Sequence, residues 1–213
     1  MDTRERILDI AEQLFAEQGL GQTSLRAITA AAGVNLAAVH YHFGSKEALE
    51  RAIFERRLKP MNEDRLRRLD ALEANSSGPV PLADLVYAFI APPLELSRDQ
   101  EHGGRYFIRL LGRTYTEPTE SLQDYVRELY EEVADRFQAA FNKTLPDLDA
   151  KELYWRLHFM VGTLAFCMSG SYTMRLIASS HLADEPTPVL IERLTRFLVG
   201  GLSPATALAQ SAA

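Results

Sequence analysis

The chain has 213 residues, 46% hydrophobic and 24% charged, with 23 Lys and Arg against 29 Asp and Glu, for a net charge of −6. That composition is ordinary for a soluble globular protein with a real core. A single cysteine, Cys167, excludes a disulfide framework within the chain, and the most apolar segment, LHFMVGTLAFCM (157–168), falls short of the roughly 20 residues that a membrane-spanning helix needs.

The opening MDTRERILDI mixes acids and bases without an apolar run, so no secretory signal is expected and the predicted location is the cytoplasm. Charge is spread unevenly. Residues 1–60 carry eight basic and eight acidic side chains, so the excess acid lies in the remainder. A neutral amino-terminal part on an acidic body leaves nucleic acid open as a partner, because the local field matters more than the total.

Apolar residues recur with helical spacing throughout, and an all-α fold is predicted. Ile7, Ile10, Ala11, Leu14 and Phe15 mark a first helix, stopped by Gly19. Thr23 or Ser24 can cap a short second helix carrying Leu25, Ile28 and Ala32, which ends at Gly33. Asn35 can cap a third, Leu36 to Phe43, after which Gly44-Ser45 turns the chain into a long helix from Lys46 to about 72. The stretch ANSSGPVP (74–81) reads as a linker. Further helices are expected at about 82–98, 104–115, 119–143, 149–177 and 186–201, the first of them kinked by Pro92-Pro93. The tail at 203–213 is expected to be loose.

The third helix, LAAVHYHF, carries the chemistry. At 100° per residue, Leu36, Val39 and Phe43 fall within an arc of about 60°, which is the expected buried side. Ala37, Ala38 and Tyr41 form the opposite ridge. His40 and His42 lie on the two flanks, about 160° apart, too far round the helix to chelate one metal ion. No nucleophile or carboxylate pattern nearby recruits either imidazole as a catalytic base. Two alanines let the helix backbone approach another surface closely, and tyrosine and histidine supply donors on both sides. That pattern suits a DNA major groove, where alanine methyls meet thymine methyls and the donors meet phosphate oxygens. Lys46, in the first turn of the next helix, is disfavoured by the macrodipole unless an anion binds there.

The stretch TSLRAITAAAGVNLAAVHYHFGSKEALERAIF (23–54) resembles the DNA-binding region of TetR-type transcriptional regulators, a likeness that covers about residues 4–55. It rests on the leading amphipathic helix, the T-S before the second helix, Ile28, the A-G-V turn, Y-H-F, and S-K-E-x-L. The resemblance implies a three-helix helix–turn–helix head on a larger all-helical body that binds a ligand and dimerises. Carried over residue by residue, Ser24, Arg26, Tyr41, His42 and Lys46 match positions that contact DNA, and Ala37 and Ala38 match positions near the bases. Asn35 and His40 complete the candidate set, although His40 stands where tyrosine or asparagine is frequent and Thr29 where alanine is. The implied division is a DNA-binding domain at 1–47, a ligand-binding and dimerisation domain at 48–202, and a flexible tail at 203–213.

In the body, the helix expected at 149–177 is apolar almost all round and must be covered on two sides. Its own core covers one, and a second subunit is the simplest cover for the other. A homodimer through this helix and the one at 186–201 is expected, which also fits the family habit. Arg105, Arg109 and Arg113 follow one another at four-residue steps on the helix at 104–115. One reading is an anionic, acyl-type effector with its head at Arg109 or Arg113 and its tail among Phe89, Phe107, Phe159 and Phe166. The segment GRYFIRLLGRTYTEP (104–118) is similar to a fatty-acyl-responsive branch of the family. A second reading pairs these arginines with acids on 117–135 or places them between body and head. Cys167, in an apolar run, reads as buried core.

Function then narrows to a ligand-responsive regulator, a repressor on a palindromic operator, with an activator of the same fold as the alternative. No cofactor or metal is expected. A small helical enzyme has little support: there is no G-x-S-x-G, H-E-x-x-H or P-loop, and the five histidines are scattered.

Overall fold

The computed structural model describes residues 2–97, 104–116, 120–169 and 186–204. Within them the fold is all-α: α1 (Thr3–Gln18), α2 (Leu25–Ala32), α3 (Leu36–Phe43), α4 (Lys46–Asn75), α5 (Leu82–Leu96), α6 (Gly104–Thr116), α7 (Glu120–Thr144), α8 (Ala150–Ser169) and α9 (Thr187–Leu202). The expected linker is shorter than its composition suggests, because α4 continues through Ala74 and Asn75. The end of the helix expected at 149–177 and most of the expected loose tail lie outside the described residues.

The three amino-terminal helices form a head that sits on the first third of α4. Ile7, Leu8, Ala11 and Phe15 of α1, Ile28 of α2, Val39 of α3, and Leu49 and Ile53 of α4 are fully buried together. The head has no separate core. Phe54 of α4 meets Phe107 of α6 edge to face, with ring centroids 5.6 Å apart, and α6 packs against both α1 and α8. In the body α4 lies against α5 and α7, α9 runs along α5, and α8 runs along α6.

Charges lock α1 to α4. The buried Glu12 carboxylate accepts Nη2 of Arg56 at 2.9 Å, and Nε and Nη2 of Arg57 at 2.9 and 2.8 Å. Arg56 also donates to Asp9 at 2.8 Å and to Glu5 at 3.1 Å. Burial opposes the charge of Arg56, but Glu12 and Asp9 outweigh it and hold the guanidinium more firmly protonated than usual. Half-buried, bidentate and networked, this cluster is the kind of ion pairing that contributes to stability, unlike isolated surface pairs.

Prolines interrupt two helices without ending them. Pro60 lies inside α4, and Pro92 and Pro93 lie inside α5. Each removes one backbone donor and leaves the carbonyl four residues earlier without its helical partner. For Pro93 that carbonyl is Phe89 O, and it accepts Nε of the buried Arg65 at 2.9 Å instead. The expected interruption of α5 is thereby absorbed by a side chain from α4.

Candidate nucleic-acid interface

Three capped turns aim the head. Ser24 Oγ accepts the Ala27 amide at 3.1 Å, Asn35 Oδ1 accepts the Ala38 amide at 2.9 Å, and Ser45 Oγ accepts the Ala48 amide at 3.1 Å. Between α2 and α3, Gly33 takes the left-handed conformation (φ 63, ψ 39), and the Val34 amide closes the turn onto Thr29 O at 3.0 Å. A Cβ on Gly33 would meet nothing, so glycine is favoured there by backbone conformation rather than by space. The cap of α2 is Ser24. Thr23 is buried and donates to Gly19 O at 2.8 Å, bracing the preceding turn.

On α3 the Ala-Ala-Tyr ridge faces outward. Tyr41 is 85% exposed, Ala37 and His40 are exposed, and Ala38 and His42 are half-buried. The rings of Tyr41 and His42 meet edge to face at 5.1 Å, and His40 Nδ1 lies 2.8 Å from Gly44 O. Of the expected buried arc only Val39 is fully covered. Phe43 is half-buried under Arg4, 5.5 Å from its ring, while Leu36 is 40% exposed. Leu36 stands in the opening turn of the helix, on the side away from that ridge. Arg26 is exposed on α2. Ser24 and Asn35 act as caps through one oxygen each, so capping does not use their donor hydrogens.

Lys46 is turned inward. Its Nζ donates to Leu20 O at 2.5 Å, lies 3.9 Å from Glu50, and sits 5.8 Å from the centre of the Phe15 ring. To reach a phosphate it must release the Leu20 carbonyl. Glu50 is a buried acid that the sequence reading passed over. Desolvation outweighs the attraction of Lys46, and Glu47 adds like charge, so the Glu50 carboxyl is held above its ordinary 4.5. The fold thus favours protonated Glu50: its contribution to stability is present in acid and is lost as pH rises through the elevated value. Glu50→Gln should match the wild type at about pH 4 and become the more stable of the two toward neutrality, read as Tm across a pH series. A difference that does not change with pH would remove this assignment.

The expected effector residues do not converge. Phe107 is fully buried in the core, and Phe89 is half-buried against Phe137, with centroids 5.2 Å apart. Arg109 is exposed. Arg113 reaches the head: its Nη2 would lie 2.9 Å from a Cβ placed on Gly19, at the end of α1. Phe159 and Phe166 are 62% and 56% exposed on the outer side of α8, so they line no interior cavity with Phe107. The reason is that α8 turns Leu153, Met160 and Leu164 inward. An all-apolar helix does not announce which side that will be. Cys167, expected in the core, is exposed on the same helix, although desolvation raises its thiol pKa. Among the described residues no group of three or more His, Cys, Asp or Glu is placed to hold a metal ion, and no helix is long and apolar enough to cross a membrane.

Two family models match different parts of the chain. The family model for bacterial regulatory proteins of the tetR family matches residues 7–53, and that for the tetracyclin repressor-like C-terminal domain matches residues 87–201. The chain is 36% identical over 100 residues to the transcriptional repressor BepR of Brucella suis biovar 1 (strain 1330), which is 47% of this chain and 45% of that protein. It is 46% identical over 54 residues to the transcriptional regulator AcrR of Shigella flexneri, 25% of each. These matches span a quarter to about half of the relatives' lengths. In structure the chain resembles the fatty acid degradation regulator FadR from Bacillus halodurans, with a TM-score of 0.66 at 14% identity over 95% of this chain and 97% of that one. It also resembles SmeT in its triclosan complex, with a TM-score of 0.61 at 25% identity over 97% of each. With its head matched by one family model and more than half its length by the other, the chain belongs to the TetR family of DNA-binding transcriptional regulators.

Proposed function

We propose that the protein is a homodimeric repressor that holds a pseudo-palindromic operator and is released from it by a small, largely apolar effector. The observation that carries this is the outward ridge of α3. Ala37, Ala38 and Tyr41 offer small and aromatic surface where a solvated helix face ordinarily carries charge, and His40 and His42 flank it. Ser24, Arg26, Asn35 and Lys46 border the ridge as phosphate contacts. The proposed division of labour keeps DNA contact within 1–47 and ligand binding and dimerisation within 48–202.

The second subunit is supported by the outer faces of α8 and α9, where Tyr154, Trp155, Phe159, Phe166 and Phe197 are exposed. A patch of that kind on a single chain marks an interaction site. Two-fold pairing through it would present two heads to two half-sites, as a pseudo-palindrome requires. For the effector, SmeT supplies a case of the same fold holding triclosan. Coupling has a short route: α6 touches α1 and α8, and Arg113 lies beside Gly19, so any displacement of α6 reaches the head directly. A ligand acts only through unequal affinity for the two head arrangements.

Selection from random duplex DNA tests the reading. The expected product is an enriched inverted repeat bound with an affinity that falls steeply with salt, because phosphate contacts release counterions. No enrichment at low salt would overturn it.

A further inference from the structure

One buried charged group that DNA binding and dimerisation leave unused is Arg65. It is 1% exposed, on the inner side of α4 facing α5 and α7. Nε donates to Phe89 O at 2.9 Å, and Nη1 donates to Asn62 Oδ1 at 3.1 Å. Asn62 is itself buried and passes the network on through Nδ2 to Leu129 O of α7 at 2.7 Å. The guanidinium lies 4.4 Å from the centre of the Phe89 ring and 5.7 Å from that of Tyr130. Every one of these partners is formally neutral. On the same helix Arg56, Arg57, Arg67 and Arg68 each hold a carboxylate. Among the described residues none lies within ion-pair distance of Arg65.

A structural role explains part of this. The Phe89 carbonyl lacks its helical donor because residue 93 is proline, and Arg65 supplies one. A neutral glutamine would do the same without placing a charge in the core, where an uncompensated cation is costly. A guanidinium has five N–H groups, and here two have oxygen acceptors. The remaining donors lie in the guanidinium plane, whose geometry matches the two oxygens of a carboxylate.

We infer that Arg65 anchors the acidic group of the effector, a carboxylate carried on an apolar body and held between α4, α5 and α7. This rests on the reading of the body as a ligand-binding domain. It replaces Arg109 and Arg113, which face solvent and head, as the site of the anion. A cleft of about 230 Å³ between α4 and α5 is lined by Arg56, Arg57, Pro60, Met61, Asp64, Pro92 and Leu96; Arg65 is not in its lining and stands one helical turn beyond Met61 on α4. Asp64 on its rim is engaged by Arg67 and Arg68 and so opposes an entering anion less than a free acid would.

The test uses the full chain stripped of copurifying ligand, with matched probes: decanoate against 1-decanol, and 2-naphthoate against 2-naphthol. Binding is followed by calorimetry and by the shift in Tm. At least one carboxylate should bind and raise Tm where its alcohol does not. Arg65→Gln, which keeps a donor for Phe89 O, should weaken that binding on the order of 10- to 100-fold. Lys59→Gln, an exposed change on α4, should leave it unaltered. Arg65→Met serves as a second variant should the glutamine fail to fold. Wild-type protein indifferent to both acids, acids and alcohols bound alike, or an Arg65 variant that keeps the preference for the acid would each overturn the inference. Operator binding is measured separately, so loss of the regulator reading shows as a missing operator and not as a missing acid response.

Discussion

Ala37→Glu is expected to reduce operator affinity by about 100-fold or more while leaving the fold intact, since a like charge brought against another at an interface costs several kcal/mol. Ala37 is exposed in the first turn of α3, where an added carboxylate faces solvent in the free protein. A negative side chain near a helix amino terminus is favoured by the macrodipole, so helix stability does not fall. In the complex the same carboxylate would be carried into a groove walled by phosphates, against a field that otherwise supplies much of the binding energy. Fluorescence anisotropy with the selected operator, beside a circular dichroism melt, separates the two effects. Retained affinity would mean that α3 does not enter the groove.

Phe159→Asp is expected to turn the dimer into a monomer. The ring is largely exposed on one chain, so the substitution removes little from the fold of that chain, and the melting of a monomer should be nearly unchanged. At a two-fold interface each substitution occurs twice. Burying the 62% of Phe159 that one chain leaves exposed removes about 90–160 Å² from water, which at about 25 cal/mol per Å² gives roughly 2–4 kcal/mol per ring. Replacing two rings with carboxylates therefore weakens association by about 1,000-fold or more. Trp155, 5.8 Å away from Phe159 in ring-centroid distance, reports the change by fluorescence. Sedimentation velocity at micromolar concentration gives the state directly. A variant that remains dimeric would move the interface elsewhere and leave the exposed aromatic face without its proposed occupant.

The head was legible in the sequence because its determinants are local. Ser24, Asn35, Gly33 and Gly44 act within four residues of themselves, as caps and turn formers, and the alternation of faces along α3 follows from helix geometry. Where tertiary neighbours decide, the sequence was silent. Leu36 is apolar and on the same side of α3 as Val39, yet it is 40% exposed where Val39 is fully buried. Lys46 has the spacing of a phosphate contact, but its resting partner is the Leu20 carbonyl, 26 positions earlier. Arg65 sits in RLRRLD beside Arg67 and Arg68, and only its tertiary partners, the Phe89 carbonyl of α5 and the rings of Phe89 and Tyr130, reveal that it is enclosed. The body was harder for a further reason. A helix apolar on every side carries no periodic signal of which face turns inward, and the outward placement of Phe159 and Phe166 is therefore not readable from their spacing.

Pro60 has a mechanical consequence. It removes one hydrogen bond from α4 directly after Arg56 and Arg57, the two arginines that Glu12 fastens to α1. Upstream of that step α4 is fastened to α1, yet it also touches the body, with Phe54 on Phe107 of α6 and Arg51 5.4 Å from the Tyr125 ring of α7. The weakened step thus lies inside the proposed ligand-binding part, beyond its border with the head. The arm from Lys46 to Lys59 is about 21 Å long at about 1.5 Å per residue, so a pivot of about 10° sweeps its tip through nearly 4 Å. That is about one base-pair step along a duplex, so in the proposed dimer such a pivot would take the two heads out of register with their half-sites.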